Sequence, residues 1–92
     1  MTAAPSLVTV EFYGMPRQRA GRSELTVAAQ TPAELLAAVE RACPGLAGLR
    51  QPDGRLAPLY LLSIEGRQFV TDLNQLLRPG ERLLLLSADA GG

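Results

Sequence analysis

The side chains and backbone groups with the most distinctive chemical potential stand at the C-terminal end, Ser87-Ala88-Asp89-Ala90-Gly91-Gly92. These residues are small and include no apolar anchor, so 87–92 is expected to form a flexible tail. Glycine has no Cβ and takes backbone angles that other residues avoid. Gly91 and Gly92, led by Ala90, can therefore thread a narrow channel of a partner and set the Gly92 carboxyl carbon beside a nucleotide phosphate. On this reading the terminal carboxylate is the reacting group, and the chain needs no catalytic residue of its own. The plain alternative is a small polar terminus with no role. With nine glycines in 92 residues, two at the end arise by chance in roughly 1% of sequences.

The remaining inventory excludes most other chemistry. One cysteine, Cys43, and no histidine cannot make an internal disulfide, a structural zinc site or a histidine-based catalytic centre, so no metal is expected. Cys43 falls on the apolar stripe of a helix and reads as a small core residue with an inert thiol. All nine basic residues are arginine, so no side chain can accept an isopeptide bond. Arg17, Arg19 and Arg22 read as a solvated loop or as a patch that steers an acidic partner. Arg50, Asp53 and Arg55 read as solvated. A formal charge of zero and 4% aromatic residues give nucleic-acid binding no support. No apolar run approaches the about 18 residues of a membrane span, and Met1–Pro5 lacks the pattern of a signal peptide. No membrane association and a cytoplasmic location are expected.

The elements that would carry such a tail follow from the pattern. At 92 residues with 47% hydrophobic side chains, the chain is read as one domain over 1–92, with 1–5 a disordered N-terminus. Val8, Val10 and Phe12 alternate with polar neighbours, which predicts a strand over 7–13. Gly14, Pro16 and Gly21 punctuate a polar stretch read as a hairpin loop before a second strand around Leu25 and Val27. Thr31-Pro32-Ala33-Glu34 is a helix start, with a capping threonine, a proline at the first position and an acid at the positive end of the dipole. Leu35, Leu36, Val39 and Cys43 make its apolar stripe, and Pro44-Gly45 ends it. Residues 44–58 read as a long loop without regular structure, 59–65 as a strand, Glu65-Gly66 as a turn, and 68–70 as a short strand. Leu73, Leu76 and Leu77 suggest a helical turn, with the leucines in the core. The run Leu83–Leu86 predicts a last strand, central in its sheet and buried on both faces. A hairpin, a crossover helix and a central last strand parallel to the first define an α+β chain of β-grasp type, a mixed four- to five-stranded sheet with one main helix across one face. A ferredoxin-like sandwich would need a second full helix.

Several of these segments together resemble the MoaD/ThiS family of ubiquitin-like sulfur carriers. They are the Thr-Pro-x-Glu-Leu-Leu helix start, Cys43-Pro44-Gly45-Leu46, Ile64-Glu65-Gly66, the Leu77–Leu83 approach to the last strand, and the terminal Ala90-Gly91-Gly92. The resemblance spans Val8 to Gly92, and its specificity lies in the order of the motifs. It implies a protein that is not itself an enzyme but works with partner enzymes. An adenylating, ubiquitin-activating-like partner would use ATP and magnesium to convert the Gly92 carboxylate into an acyl adenylate, and a sulfur donor would turn that into a thiocarboxylate. The sulfur would pass to an accepting biosynthetic enzyme that makes molybdopterin, cysteine or another sulfur metabolite. The chain would bind no cofactor itself. In length it is nearer molybdopterin-synthase small subunits, or the carriers serving cysteine and specialised sulfur metabolites, than thiamine-pathway carriers.

Two other readings stand beside the carrier. A ubiquitin-related modifier would be joined through Gly92 to target lysines, and a β-grasp interaction module would need no tail at all.

Overall fold

In a computed structural model the described residues are 6–65 and 67–88. They form β1 (Leu7–Phe12), α1 (Met15–Ala20), β2 (Glu24–Ala28), α2 (Pro32–Ala42), a 3-10 turn (Pro44–Leu46), β3 (Tyr60–Ile64), β4 (Gln68–Phe69) and β5 (Arg82–Ser87). The strands make one five-stranded sheet in the order β2-β1-β5-β3-β4. β1 pairs antiparallel with β2 and parallel with β5, and β3 pairs antiparallel with both β4 and β5. This is the expected β-grasp arrangement, with β5 at the centre. The short chain of 1–5 lies outside the described residues.

The pleat sorts the strands by face. Val8, Val10 and Phe12 of β1, Leu83 and Leu85 of β5, and Tyr60, Leu62 and Ile64 of β3 are buried against Leu35, Leu36, Val39 and Cys43 of the α2 region. Helix α2 begins as its residues dictate. The Thr31 hydroxyl accepts the Glu34 N–H at 3.2 Å, while the Glu34 carboxylate accepts the Gln30 N–H at 2.7 Å, one residue earlier than in the usual reciprocal box.

Four expectations are corrected. Residues 15–20 are a helix rather than a loop. Pro16 lies in its first turn with the side chain buried, and Gly21 closes it in the left-handed region at φ 73°, donating its N–H to the Arg17 carbonyl. The punctuating residues therefore start and stop a single short helix. Residues 44–58 are not structureless: Leu46 and Leu49 are fully buried, Arg50 bridges Leu56, and Arg50 donates from Nε and from its backbone N–H to the Glu40 carboxylate at 2.8 and 3.1 Å. Arg50 is thus paired, not simply solvated.

Leu73–Leu77 makes turns instead of a helix, because Asp72 caps the Asn74 N–H and the segment is tied to the start of α2 through Ala33 N–H to the Leu73 carbonyl and Leu77 N–H to the Gln30 carbonyl. Of its leucines, Leu77 is buried and Leu76 is 80% exposed. Finally, β5 is buried on one face only. Leu84 and Leu86 are half-buried on the other, and the strand runs through Ser87, the first residue of the expected tail.

Candidate functional site

The three residues singled out at the end of the chain, Ala90, Gly91 and Gly92, lie outside the described residues, as does Asp89. What the structure does describe is the platform from which they depart. β5 reaches the rim of the sheet at Ser87, in register with Tyr60 of β3. The Ala88 N–H donates to the Leu59 carbonyl at 2.7 Å, and the Tyr13 N–H donates to the Leu85 carbonyl at 3.1 Å. The strand is therefore held on the β1 side through Leu85 and on the β3 side through Ala88, four residues before Gly92.

Helix α1 closes the same rim. Arg19 Nη1 donates to the Tyr60 hydroxyl at 2.8 Å, and Tyr60 is buried beside the end of β5. Gly45 sits directly against the Arg19 carbonyl, where any Cβ would overlap the oxygen. These contacts fix α1 at the root of the tail. The sequence reading missed this helix because six residues are too few for a helical period to show; the signal present was the Pro16 to Gly21 spacing.

Among the described residues no helix covers the sheet face opposite α2. Register places Leu86 and Leu61 in one row across it, and Glu24, Glu11, Leu84, Ser63 and Phe69 in the next. The β3–β5 side is thus apolar and leads to the root of the tail, with Phe69 57% exposed and Leu59 at the rim. The β1–β2 side is polar: Thr9 and Thr26 hydroxyls are bonded at 2.9 Å, and Arg82 Nη1 lies 2.8 Å from Glu11 and 3.7 Å from Glu24. The Tyr13 hydroxyl donates to Glu11 Oε1 at 3.0 Å, and the carboxylate that accepts this bond raises the Tyr13 pKa above its ordinary 10.0. An apolar stripe rimmed by polar residues is the kind of surface found where proteins bind one another.

Cys43 is 1% exposed at the end of α2, as expected of a core thiol. Among the described residues no cluster of three His, Cys, Asp or Glu side chains could hold a metal ion, and no helix is long and apolar enough to cross a membrane.

No family profile and no curated protein matches this sequence. Solved structures do match its fold. Small archaeal modifier protein 1 from Methanosarcina acetivorans superposes with a TM-score of 0.80 at 20% identity, over 98% of this chain and 100% of that one. Urm1 from Trypanosoma brucei gives 0.66 at 19% identity, over 99% and 100%. A putative molybdopterin converting factor subunit 1 from Pyrococcus furiosus gives 0.69 at 15% identity, over 89% and 97%. The chain therefore has the ubiquitin-like β-grasp fold. The fold expected from the resemblance to MoaD/ThiS carriers is the fold observed.

Proposed function

We propose that this chain is a ubiquitin-like sulfur carrier whose reacting group is the Gly92 carboxylate. The observation that carries the reading is the placement of β5. The central strand, paired with β1 through Leu85 and held on the β3 side through Ala88, ends four residues before Gly92 at a rim bordered by an apolar stripe and by α1. Four extended residues reach at most about 14 Å beyond Ala88. That suits a terminus inserted into a partner while the open face of the sheet docks outside. The names of the structural neighbours, small archaeal modifier protein and molybdopterin converting factor subunit, support a carrier or modifier over an idle module.

The chemistry runs on the partner. A Gly92 carboxylate oxygen attacks the α-phosphorus of ATP, and pyrophosphate leaves, assisted by magnesium. Sulfide then attacks the acyl carbon, AMP leaves, and a thiocarboxylate remains. That group is ionised and nucleophilic near neutral pH, and an accepting biosynthetic enzyme takes its sulfur. The protein's part is to present the tail and the docking face, so it acts as a protein substrate rather than as an enzyme. A cytoplasmic setting, where ATP and the partner enzymes are at hand, belongs to the same reading.

A second reading, supported by the word "modifier" in a neighbour's name, passes the same acyl adenylate to a lysine amine of a target protein. The two differ only in the acceptor. Activated chain offered sulfide and a lysine-bearing protein together distinguishes them: thiocarboxylate at Gly92 supports the carrier, and an amide-linked adduct supports the modifier. Removal of Gly91 and Gly92 must abolish either product, whereas function that survives the deletion would support the interaction module.

A further inference from the structure

Residues 12–23 contain three arginines and no carboxylate, while the whole chain has nine basic and nine acidic residues. The rest of the chain therefore holds six arginines against nine acids, a local charge of +3 set against −3. This asymmetry has a place in the structure. Arg50, Arg55, Arg67 and Arg82 each lie within 4.0 Å of a carboxylate. Arg17 and Arg22 are exposed and, like Arg41 and Arg78, have no such partner among the described residues, and Arg19 is engaged by a neutral hydroxyl. Arg17 and Arg22 line a shallow concavity with Gly14, Gln18, Gly21 and Ser23. Gly14 and Gly21 have positive φ and open space where a Cβ would stand, so the backbone between the two guanidinium groups is accessible. Its wall is rigid, because Pro16 is buried and Arg19 is bonded to Tyr60. It opens on the rim where β5 ends, since the residue before Gly14 donates its N–H to Leu85.

We infer that the Arg17/Arg22 concavity is the docking site for an acidic segment, Asp- or Glu-rich, on the enzyme that activates the tail. This rests on the carrier or modifier reading and specifies its partner. The guanidinium forks match carboxylates in bidentate geometry. Lying at the tail's root and solvent-exposed, they act mainly on the rate and register of encounter rather than on the chemical step.

The test is ATP–pyrophosphate exchange by an adenylating enzyme of this class with the full chain as substrate, at low and high salt. Arg17→Glu/Arg22→Glu is compared with Arg41→Glu/Arg55→Glu, which has the same net charge with the change placed elsewhere. The concavity variant should raise the KM for the carrier by roughly 10- to 100-fold at low salt, with kcat within about twofold, and the gap should shrink as salt rises. Arg17→Gln/Arg22→Gln, which removes charge without reversing it, should fall between. Thermal midpoints of all variants report whether each is folded. Equal KM values for the two double variants, with wild type active, would overturn this inference and leave the carrier reading intact. No exchange with wild type would remove that reading itself, and the inference with it.

Discussion

The contact between Gly45 and α1 allows one consequence to be worked through. A methyl group at position 45 would overlap the Arg19 carbonyl oxygen and lie 3.0 Å from its carbon and 3.4 Å from its Cα. All three are backbone atoms, so no rotamer change relieves the clash. Either α1 or the 3-10 turn at Pro44–Leu46 must shift by about an ångström, and overpacking of this kind costs about 1–3 kcal/mol. For a domain of this size each kcal/mol moves the thermal midpoint by about 4–8 °C. Gly45→Ala should therefore melt roughly 5–20 °C below wild type. Urea denaturation should give the same ordering with an unchanged slope. Leu46 and Leu49 pin the 3-10 turn in the core, so α1 is expected to give way, and its amides, Gln18 N–H to the Gly14 carbonyl and Gly21 N–H to the Arg17 carbonyl, should exchange faster with deuterium. A Gly45→Ala midpoint within about 2 °C of wild type, with α1 protection intact, would show that α1 does not press on this turn and that the rim is looser than described.

Thr31→Ala removes the cap of α2 and should cost about 1 kcal/mol, read as a fall in urea midpoint without change in slope. Tyr13, whose pKa is raised by its bond to the Glu11 carboxylate, should titrate lower in Glu11→Gln by ultraviolet spectrophotometry. The sign follows: a raised tyrosine pKa gives stability that is present below 10.0 and lost as pH rises through the raised value, so this pair affects only alkaline stability. Cys43, 1% exposed, should react with a thiol reagent only as fast as the chain opens, and native-state labelling at the rate of a free thiol would contradict its burial.

Much of this architecture was legible in the residues, and the failures have physical causes. α2 was readable because Thr31, Pro32 and Glu34 each satisfy a separate requirement of a helix start and Leu35, Leu36 and Val39 keep the period. β1 and the centrality of β5 followed from alternation and from an apolar run. That run misled on one point: Leu84 and Leu86 serve an open face, and four leucines in a row cannot say which side is covered. α1 was hidden because Pro16 and Gly21 signal turns as readily as helix ends. Residues 44–58 were hidden because Leu46 and Leu49 anchor the segment by tertiary burial with no local period. Leu76 and Leu77 carry the same side chain and opposite fates, decided by the long-range bond from the Leu77 N–H to Gln30. As for the site, the tail residues came from the sequence alone. The clasp of Arg19 on Tyr60, 41 residues apart, required the fold.

The measurement that bears most directly on the central claim is mass spectrometry of the C-terminal tryptic fragment after incubation with an adenylating enzyme of this class, ATP, magnesium and sulfide. Cleavage after Arg82 yields the peptide from Leu83 to Gly92, which contains no methionine or cysteine, so oxidation of Met1, Met15 or Cys43 cannot imitate the change. The account predicts an ATP-dependent exchange of one oxygen for sulfur at Gly92. A fragment that stays unmodified while a known carrier is converted by the same enzyme and reagents would contradict it.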